Sequence, residues 1–187
     1  YVARGEGGEE LMLELLEVLR GEREPETVQG LSFRRDGGAV HNELRPPAPD
    51  LDALPLPDLG LIVGHEKLNS MPIMTSWGCP FACNFCSVTA MFGRKYRFRS
   101  AENVMEELRA KRPKRIFFYD DNLAADRKRL KRLLTMMIEE GIVVPWQAQM
   151  RTDVVKDAEL LHLMRRSGGE RIALGLESLD QETLDDF

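Results

Sequence analysis

The sequence predicts an α/β fold in which about four strand–helix units form a parallel sheet. From Pro72 onward, short apolar runs alternate with longer segments whose apolar residues recur at three–four spacing. The longer segments begin at Ser or Asp residues, which cap helices, and two of them stop at glycine. In folds of this kind the chemistry takes place at the carboxyl ends of the strands.

The pattern of the first part of the chain predicts a separate domain at residues 1–44. Asp36-Gly37-Gly38 is a hairpin signal between two apolar runs. The apolar spacing before Gly21 is that of an amphipathic helix. The predicted elements are the end of a buried strand at Tyr1–Ala3, a helix at Glu9–Arg20, and hairpin strands at Leu31–Arg35 and Ala39–Asn42.

The composition of residues 45–66 predicts an interdomain linker. Five of the ten prolines of the chain lie here, and proline excludes both helix interiors and central strands. The remaining residues, 67–187, are then a third segment that holds the strand–helix units. Its predicted strands are Pro72–Trp77, Ile116–Tyr119, Val143–Met150 and Ile172–Leu176, and its predicted helices begin at Ser100, Asp126 and Asp157.

Both ends of the chain are typical of a fragment. The chain does not start with Met, and Asp180 to Phe187 resembles a helix cut within its first turns, with Leu184 and Phe187 on one face. We therefore expect a piece of a longer protein.

Composition excludes some classes of function. The net charge of -5 argues against a large, sequence-blind nucleic-acid footprint. No run of about 18 apolar residues exists, so no transmembrane helix is expected. The only three cysteines lie within eight residues, which indicates a shared metal centre and a reducing cytoplasm rather than disulfides.

The cysteines Cys79, Cys83 and Cys86 have the short spacings with which one loop holds an iron–sulfur cluster. A 4Fe-4S cube has four irons, so three cysteines leave one iron open, as in catalytic metal sites. We expect Phe81 and Phe85 to shield the cluster. The alternative is a structural zinc site with His65 as fourth ligand, although paired C-x2-C knuckles are absent.

The C-x3-C-x2-C spacing, with an aromatic residue before the last cysteine, resembles the signature of the radical S-adenosylmethionine (SAM) superfamily. The resemblance implies a partial (β/α) barrel of the radical SAM type. It also implies that the open iron binds SAM and that an electron, from flavodoxin or ferredoxin, yields a 5′-deoxyadenosyl radical. Such chemistry belongs to the cofactor, and the protein positions and shields it.

Further polar residues at strand ends are candidate SAM contacts under this resemblance. Asp120 and Asp121 follow the second strand, Arg151 ends the third, and Glu177 and Ser178 follow the fourth. The family often has Gly-Gly-Glu where this chain has its two Asp residues. The alternatives are that either Asp caps the next helix, that Arg151 pairs with Asp153 or Asp121, and that Ser178 or Asp180 is an N-cap.

Along the third strand, alternation predicts that Gln147, Gln149 and Arg151 share one face and that Trp146, Ala148 and Met150 share the other. The basic, aromatic segment Met91–Arg99 is able to stack on nucleic acid. Because the chain is acidic overall, we favour a solvated loop that packs across the cluster.

The N-terminal third resembles the remnant of a cobalamin-binding, Rossmann-like domain, and the segments Phe85–Thr89 and Phe92–Arg94 fit radical SAM proteins that carry such a domain. This resemblance implies methylation or cyclisation at an unreactive carbon of a small-molecule or lipid-like substrate, with cobalamin bound by the longer protein. The alternatives are a non-cobalamin member such as a methylthiotransferase and a non-catalytic iron–sulfur or metal-binding module.

Overall fold

The computed structural model describes residues 1–48, 50–92 and 95–185. It divides the chain into two compact units, residues 1–49 and 50–187. The helix predicted after Asp180 is present at Gln181–Asp185, but Phe187 lies outside the described residues.

The first unit is a three-stranded antiparallel sheet covered by one helix. Its elements are β1 (Val2–Ala3), α1 (Gly8–Arg20), a 3-10 helix (Pro25–Thr27), β2 (Leu31–Arg35) and β3 (Gly38–His41). The strand order is β1-β2-β3, and the predicted hairpin pairs Phe33 with Val40. Leu11 of α1 packs on Leu31 and Phe33. The predicted first strand forms, but it is exposed rather than buried.

The second unit is an α/β unit with a parallel sheet, as predicted. Its strands are β4 (Met71–Ile73), β5 (Ser76–Trp77), β6 (Arg97–Phe98), β7 (Ile116–Phe118), β8 (Trp146–Arg151) and β9 (Gly169–Gly175). Its helices are α2 (Ser87–Phe92), α3 (Ala101–Lys111), α4 (Arg127–Glu139), α5 (Ala158–Arg166) and α6 (Gln181–Asp185). Three 3-10 helices are Leu59–Leu61, His65–Lys67 and Thr152–Lys156.

The parallel sheet has the order β4-β7-β8-β9, and all three neighbouring pairs are parallel. The helices α3, α4 and α5 each begin at a predicted cap: the side chains of Ser100, Asp126 and Asp157 accept a hydrogen bond from the backbone amide three residues later. The core lies between these helices and one face of the sheet, and Trp146 is fully buried there.

The alternation predicted for β8 is confirmed. Trp146, Ala148 and Met150 are buried against the helices, whereas Gln149 and Arg151 are exposed on the opposite face. The sheet therefore has one apolar face for the core and one face that carries polar side chains.

Three predicted strand boundaries were wrong. The predicted strand Pro72–Trp77 is interrupted after Ile73, and its last two residues form β5, which pairs antiparallel with β6. The strand β8 starts three residues later than expected because Pro145, just before it, has no amide hydrogen to donate. The strand β9 starts at Gly169, where we expected a helix stop.

Gly168 explains the early start of β9. Its φ of 102° is in the left-handed region, and a Cβ atom there would meet the backbone of Val144. Its carbonyl oxygen accepts a hydrogen bond of 3.0 Å from the Trp146 amide. The glycine thus allows the chain to leave α5 and enter β9, beside β8, through a turn of only two residues, Ser167 and Gly168.

None of the helices in the described ranges combines the length and apolar character needed to cross a lipid bilayer.

Candidate metal centre

The three cysteines lie in one loop that follows β5. All three are free thiols with intermediate exposure, and the Cys86 amide donates a hydrogen bond of 3.1 Å to the Cys83 carbonyl oxygen. Gly78, with a φ of 78°, lets the loop turn where a Cβ atom would collide with the Lys95 carbonyl oxygen. The loop therefore carries all three thiols within eight residues, after the carboxyl end of the first parallel strand.

The segment that leads into this loop is held by Asp120. Its carboxylate accepts hydrogen bonds from the Thr75 amide (3.1 Å), the Thr75 hydroxyl (2.7 Å) and the Ser76 hydroxyl. Asp120 is only 1% exposed, and burial raises its pKa, while Ser76, Thr75 and the charge of Arg129 act in the opposite direction. Asp120 does not cap the next helix, because Asp126 does.

Two buried arginines hold the same segment from the other side. Arg129 of α4 donates to the Thr75 hydroxyl (2.8 Å) and carbonyl (3.3 Å), and Arg99 donates to the Met74 carbonyl (2.9 Å). Arg99 also forms a buried ion pair of 2.6 Å with Glu107. Residues 74–76 are therefore fixed by charge-assisted hydrogen bonds, which are stronger than neutral ones.

These anchoring residues were not predicted from the sequence. We expected Met91–Arg99 to be a solvated loop, but Arg97–Phe98 forms β6 and Arg99 is buried; Gly93 and Arg94 lie outside the described residues. A signal was present: Glu107 and Arg129 are charged, yet each lies on the buried face of its helix. A charged residue at an apolar helical position indicates a buried polar network.

Asp121 lies beside the cysteine loop, in contrast to the buried Asp120. Burial raises the pKa of the Cys79 thiol, a hydrogen bond from the Phe81 backbone lowers it, and the negative charge of Asp121 raises it further. The pKa of Asp121 is itself raised by burial and by the neighbouring Asp120 charge. One of the two predicted carboxylates that follow β7 thus lies near enough to Cys79 to act on its thiol.

Arg151, at the end of β8, also reaches the cysteine loop. Its Nη1 atom donates a hydrogen bond of 3.5 Å to the Cys83 Sγ atom, and its guanidinium carbon lies 4.1 Å from the centroid of the Phe81 ring. The alternative pair with Asp153 is present only as a long contact of 3.8 Å. Phe81 is 36% exposed and Phe85 49%, and their shielding of the cluster stays a prediction.

Glu177 and Ser178 lie at the carboxyl end of β9, the same edge of the sheet. Glu177 has a φ of 58°, and its carboxylate folds back against the backbone of Gly175. The Ser178 hydroxyl accepts a hydrogen bond of 3.1 Å from the Asp180 amide, and Asp180 caps α6 by accepting from the Thr183 amide. Their contacts are thus local, and their role toward SAM stays a prediction.

The donor set fits an iron–sulfur cluster: three free thiols, one loop, and a cationic donor next to one of them. Among the described residues, no three His, Cys, Asp or Glu side chains are gathered closely enough for a single metal ion. His65 lies in a 3-10 helix before β4, where its Nδ1 atom contacts the Ile62 carbonyl oxygen. The zinc alternative therefore gains no support from the structure.

A family model described as "Radical SAM superfamily" matches residues 73–187, which include the cysteine loop and all of the parallel sheet except Met71 and Pro72. The chain belongs to the radical SAM superfamily. The family resemblance and the fold class predicted from the sequence are thereby confirmed.

Curated relatives align with nearly the whole chain. An uncharacterized methyltransferase of Pyrococcus horikoshii is 32% identical over 98% of this chain and 41% of its own length. The anaerobic magnesium-protoporphyrin IX monomethyl ester cyclase of Rubrivivax gelatinosus is also 32% identical, over 98% of this chain and 35% of its own length. The chain thus spans less than half the length of these relatives.

A solved radical SAM structure has the same fold. The cobalamin-dependent radical SAM enzyme OxsB, solved with aqua-cobalamin and SAM bound, superimposes with a TM-score of 0.76 at 21% identity. The match covers 95% of this chain and 28% of OxsB.

Proposed function

We propose that this chain is the cluster-binding part of a cobalamin-dependent radical SAM enzyme that methylates or cyclises an unreactive carbon. The substrate class we propose is a small molecule or a lipid-like molecule. The single observation that carries the proposal is the loop of three free thiols at the carboxyl end of the first parallel strand. When bound, the cluster would supply the electron that cleaves SAM.

The chain's own residues have separable tasks under this proposal. Cys79, Cys83 and Cys86 would hold three irons. Asp121 and Arg151 are the candidate SAM contacts nearest the thiols, because one raises the pKa of Cys79 and the other touches Cys83. Glu177 and Ser178 remain candidates at the same sheet edge, whereas the contacts of Asp120 favour a role in positioning the loop.

The proposal assigns the first unit, from its resemblance, to the end of a cobalamin-binding domain. The alignment with the Rubrivivax cyclase, which extends across both units, and the fold shared with OxsB support it. We further propose a cytoplasmic enzyme that takes electrons from flavodoxin or ferredoxin.

Anaerobic reconstitution tests the cluster. We expect about four irons and four sulfides per chain, as the three-thiolate pattern predicts. Changing any one of the three cysteines to Ala should abolish the cluster. A variant that keeps a full cluster would contradict the assignment of that cysteine.

SAM and cobalamin separate the alternatives. Adding SAM should change the EPR spectrum of the reduced cluster, and a non-catalytic module should show no change. The longer protein, rather than this chain alone, should also turn over SAM to 5′-deoxyadenosine and require cobalamin for activity. A methylthiotransferase would be independent of cobalamin and would carry three further cysteines in an upstream domain.

A further inference from the structure

Arg151 contacts the cysteine loop in two ways at once. Its Nη1 atom donates to the Cys83 Sγ atom at 3.5 Å, and its guanidinium group stacks over the Phe81 ring at 4.1 Å. Its backbone is held in the parallel ladder opposite Gly175, and a 3-10 helix follows directly. The Arg151 side chain is therefore fixed at its backbone by the sheet and at its guanidinium group by the Phe81 ring.

A donor in this position has a defined effect on a cluster. Hydrogen bonds to cluster sulfurs and nearby charge both set the reduction potential. A guanidinium keeps its positive charge at any working pH. Because the reduced cluster carries one more electron than the oxidised one, a cationic N–H donor stabilises the reduced form and raises the potential.

We propose that Arg151 raises the reduction potential of the iron–sulfur cluster by donating a hydrogen bond to the Cys83 thiolate, and that Phe81 orients the guanidinium for this bond. The inference rests on the proposed function, since it needs the cluster. It gives Arg151 a role in setting the cluster potential before SAM binds. The SAM-carboxylate contact predicted from the sequence, by contrast, operates only with SAM bound.

Arg127 offers a matched control. Its Nη2 atom donates to the Asp153 carbonyl oxygen at 3.1 Å and also pairs with the Asp153 carboxylate, whose other partner is Arg151. Arg127→Met therefore also removes one positive charge from the group formed by Arg127, Asp153 and Arg151. The contact with Cys83 remains in this variant.

The experiment is a redox titration of the reconstituted protein, followed by EPR without SAM. Arg151→Met should lower the reduction potential of the cluster by about 59 mV. For a one-electron couple, this shift makes the ratio of reduced to oxidised cluster ten times smaller at a given potential. Arg127→Met should shift it by much less. Arg151→Lys keeps the charge without the planar fork, and Phe81→Leu removes the aromatic surface, so both should lie between these limits.

Equal potentials in Arg151→Met and Arg127→Met would overturn the proposal, and weaker SAM binding by Arg151→Met would then assign this residue to the SAM carboxylate alone. If Arg151→Met takes up no cluster, the reduction potential of Arg151→Lys is compared with that of Arg127→Met instead. A shifted potential in a protein whose EPR spectrum ignores SAM would refute the proposed function but uphold this inference. A wild-type protein that binds no cluster would refute both.

Discussion

The buried ion pair between Arg99 and Glu107 gives a sharp test of how the cysteine loop is held. The Nη1 and Oε2 atoms lie 2.6 Å apart, and the two side chains are 9% and 2% exposed. The same Nη1 atom donates to the Met74 carbonyl oxygen. The pair therefore links α3 to the segment that enters the loop.

Removing Glu107 alone should cost far more than removing Arg99 alone. Glu107→Leu leaves the Arg99 guanidinium buried without its carboxylate, and losses of about 3–5 kcal/mol are typical of this change. For a protein of this size we expect a melting temperature lower by about 6–20 °C, at roughly 2–4 °C per kcal/mol. Arg99→Met should destabilise less, because Lys111 still pairs with Glu107 at 2.6 Å.

The double variant Arg99→Met/Glu107→Leu replaces both charges with apolar side chains. We expect it to be more stable than the sum of the single changes implies, by about 0.5–3 kcal/mol. Urea denaturation with an unchanged m-value measures this coupling. Single effects that add to within about 0.5 kcal/mol would refute the argument.

In the same variants, the iron content per chain distinguishes a loss of protein stability from a loss of positioning of the cysteine loop. Arg99→Met and the double variant both lose the bond to the Met74 carbonyl, so both should bind less iron even though the double variant is relatively stable. The exposed pair Arg109–Glu140 supplies the control, because Arg109→Met should leave both stability and iron content nearly unchanged.

Three further predictions concern single residues. Gly78→Ala should prevent cluster uptake, measured as iron per chain, because its Cβ would collide with a backbone carbonyl. In the metal-free protein, Asp121→Asn should move the pH midpoint of Cys79 alkylation downward, since it removes a charge that raises the pKa of this thiol; Asp121→Glu should not. Ser167→Ala should cost about 1–3 kcal/mol in urea denaturation, because it leaves the buried Trp146 indole N–H without its 3.0 Å hydrogen bond.

Controls are available for these changes. Gly64→Ala introduces the same backbone strain at a φ of 83°, but with no atom within 4 Å, so iron uptake should persist. Equal loss of iron in both glycine variants would contradict the collision argument. An unchanged alkylation profile in Asp121→Asn would show that the Asp121 charge does not raise the pKa of Cys79. An unchanged Ser167→Ala stability would mean that the indole finds another partner.

The sequence predicted what depends on local pattern and spacing. Three–four periodicity and capping residues located α3, α4 and α5, and period-two alternation located the two faces of β8. The short spacing of the three cysteines was enough to predict a shared metal centre. In each case the information lies within about one turn or one strand.

The sequence did not predict what depends on residues far apart in the chain. The break between β4 and β5 arises because Thr75 and Ser76 turn toward Asp120, more than 40 residues later in the chain. Ser76 then pairs with Phe98 rather than with the parallel sheet. Side-chain hydrogen bonds and antiparallel pairing of this kind leave no periodic trace in the sequence.

The anchoring of residues 74–76 has a consequence for biogenesis. Every anchoring side chain described above comes from later in the chain: Arg99, Asp120 and Arg129, at separations of 25, 45 and 54 residues from their partners. During synthesis, the three thiols therefore leave the ribosome well before the groups that shape their loop. The anchoring contacts of residues 74–76 are therefore complete only once α4, which carries Arg129, has emerged and folded.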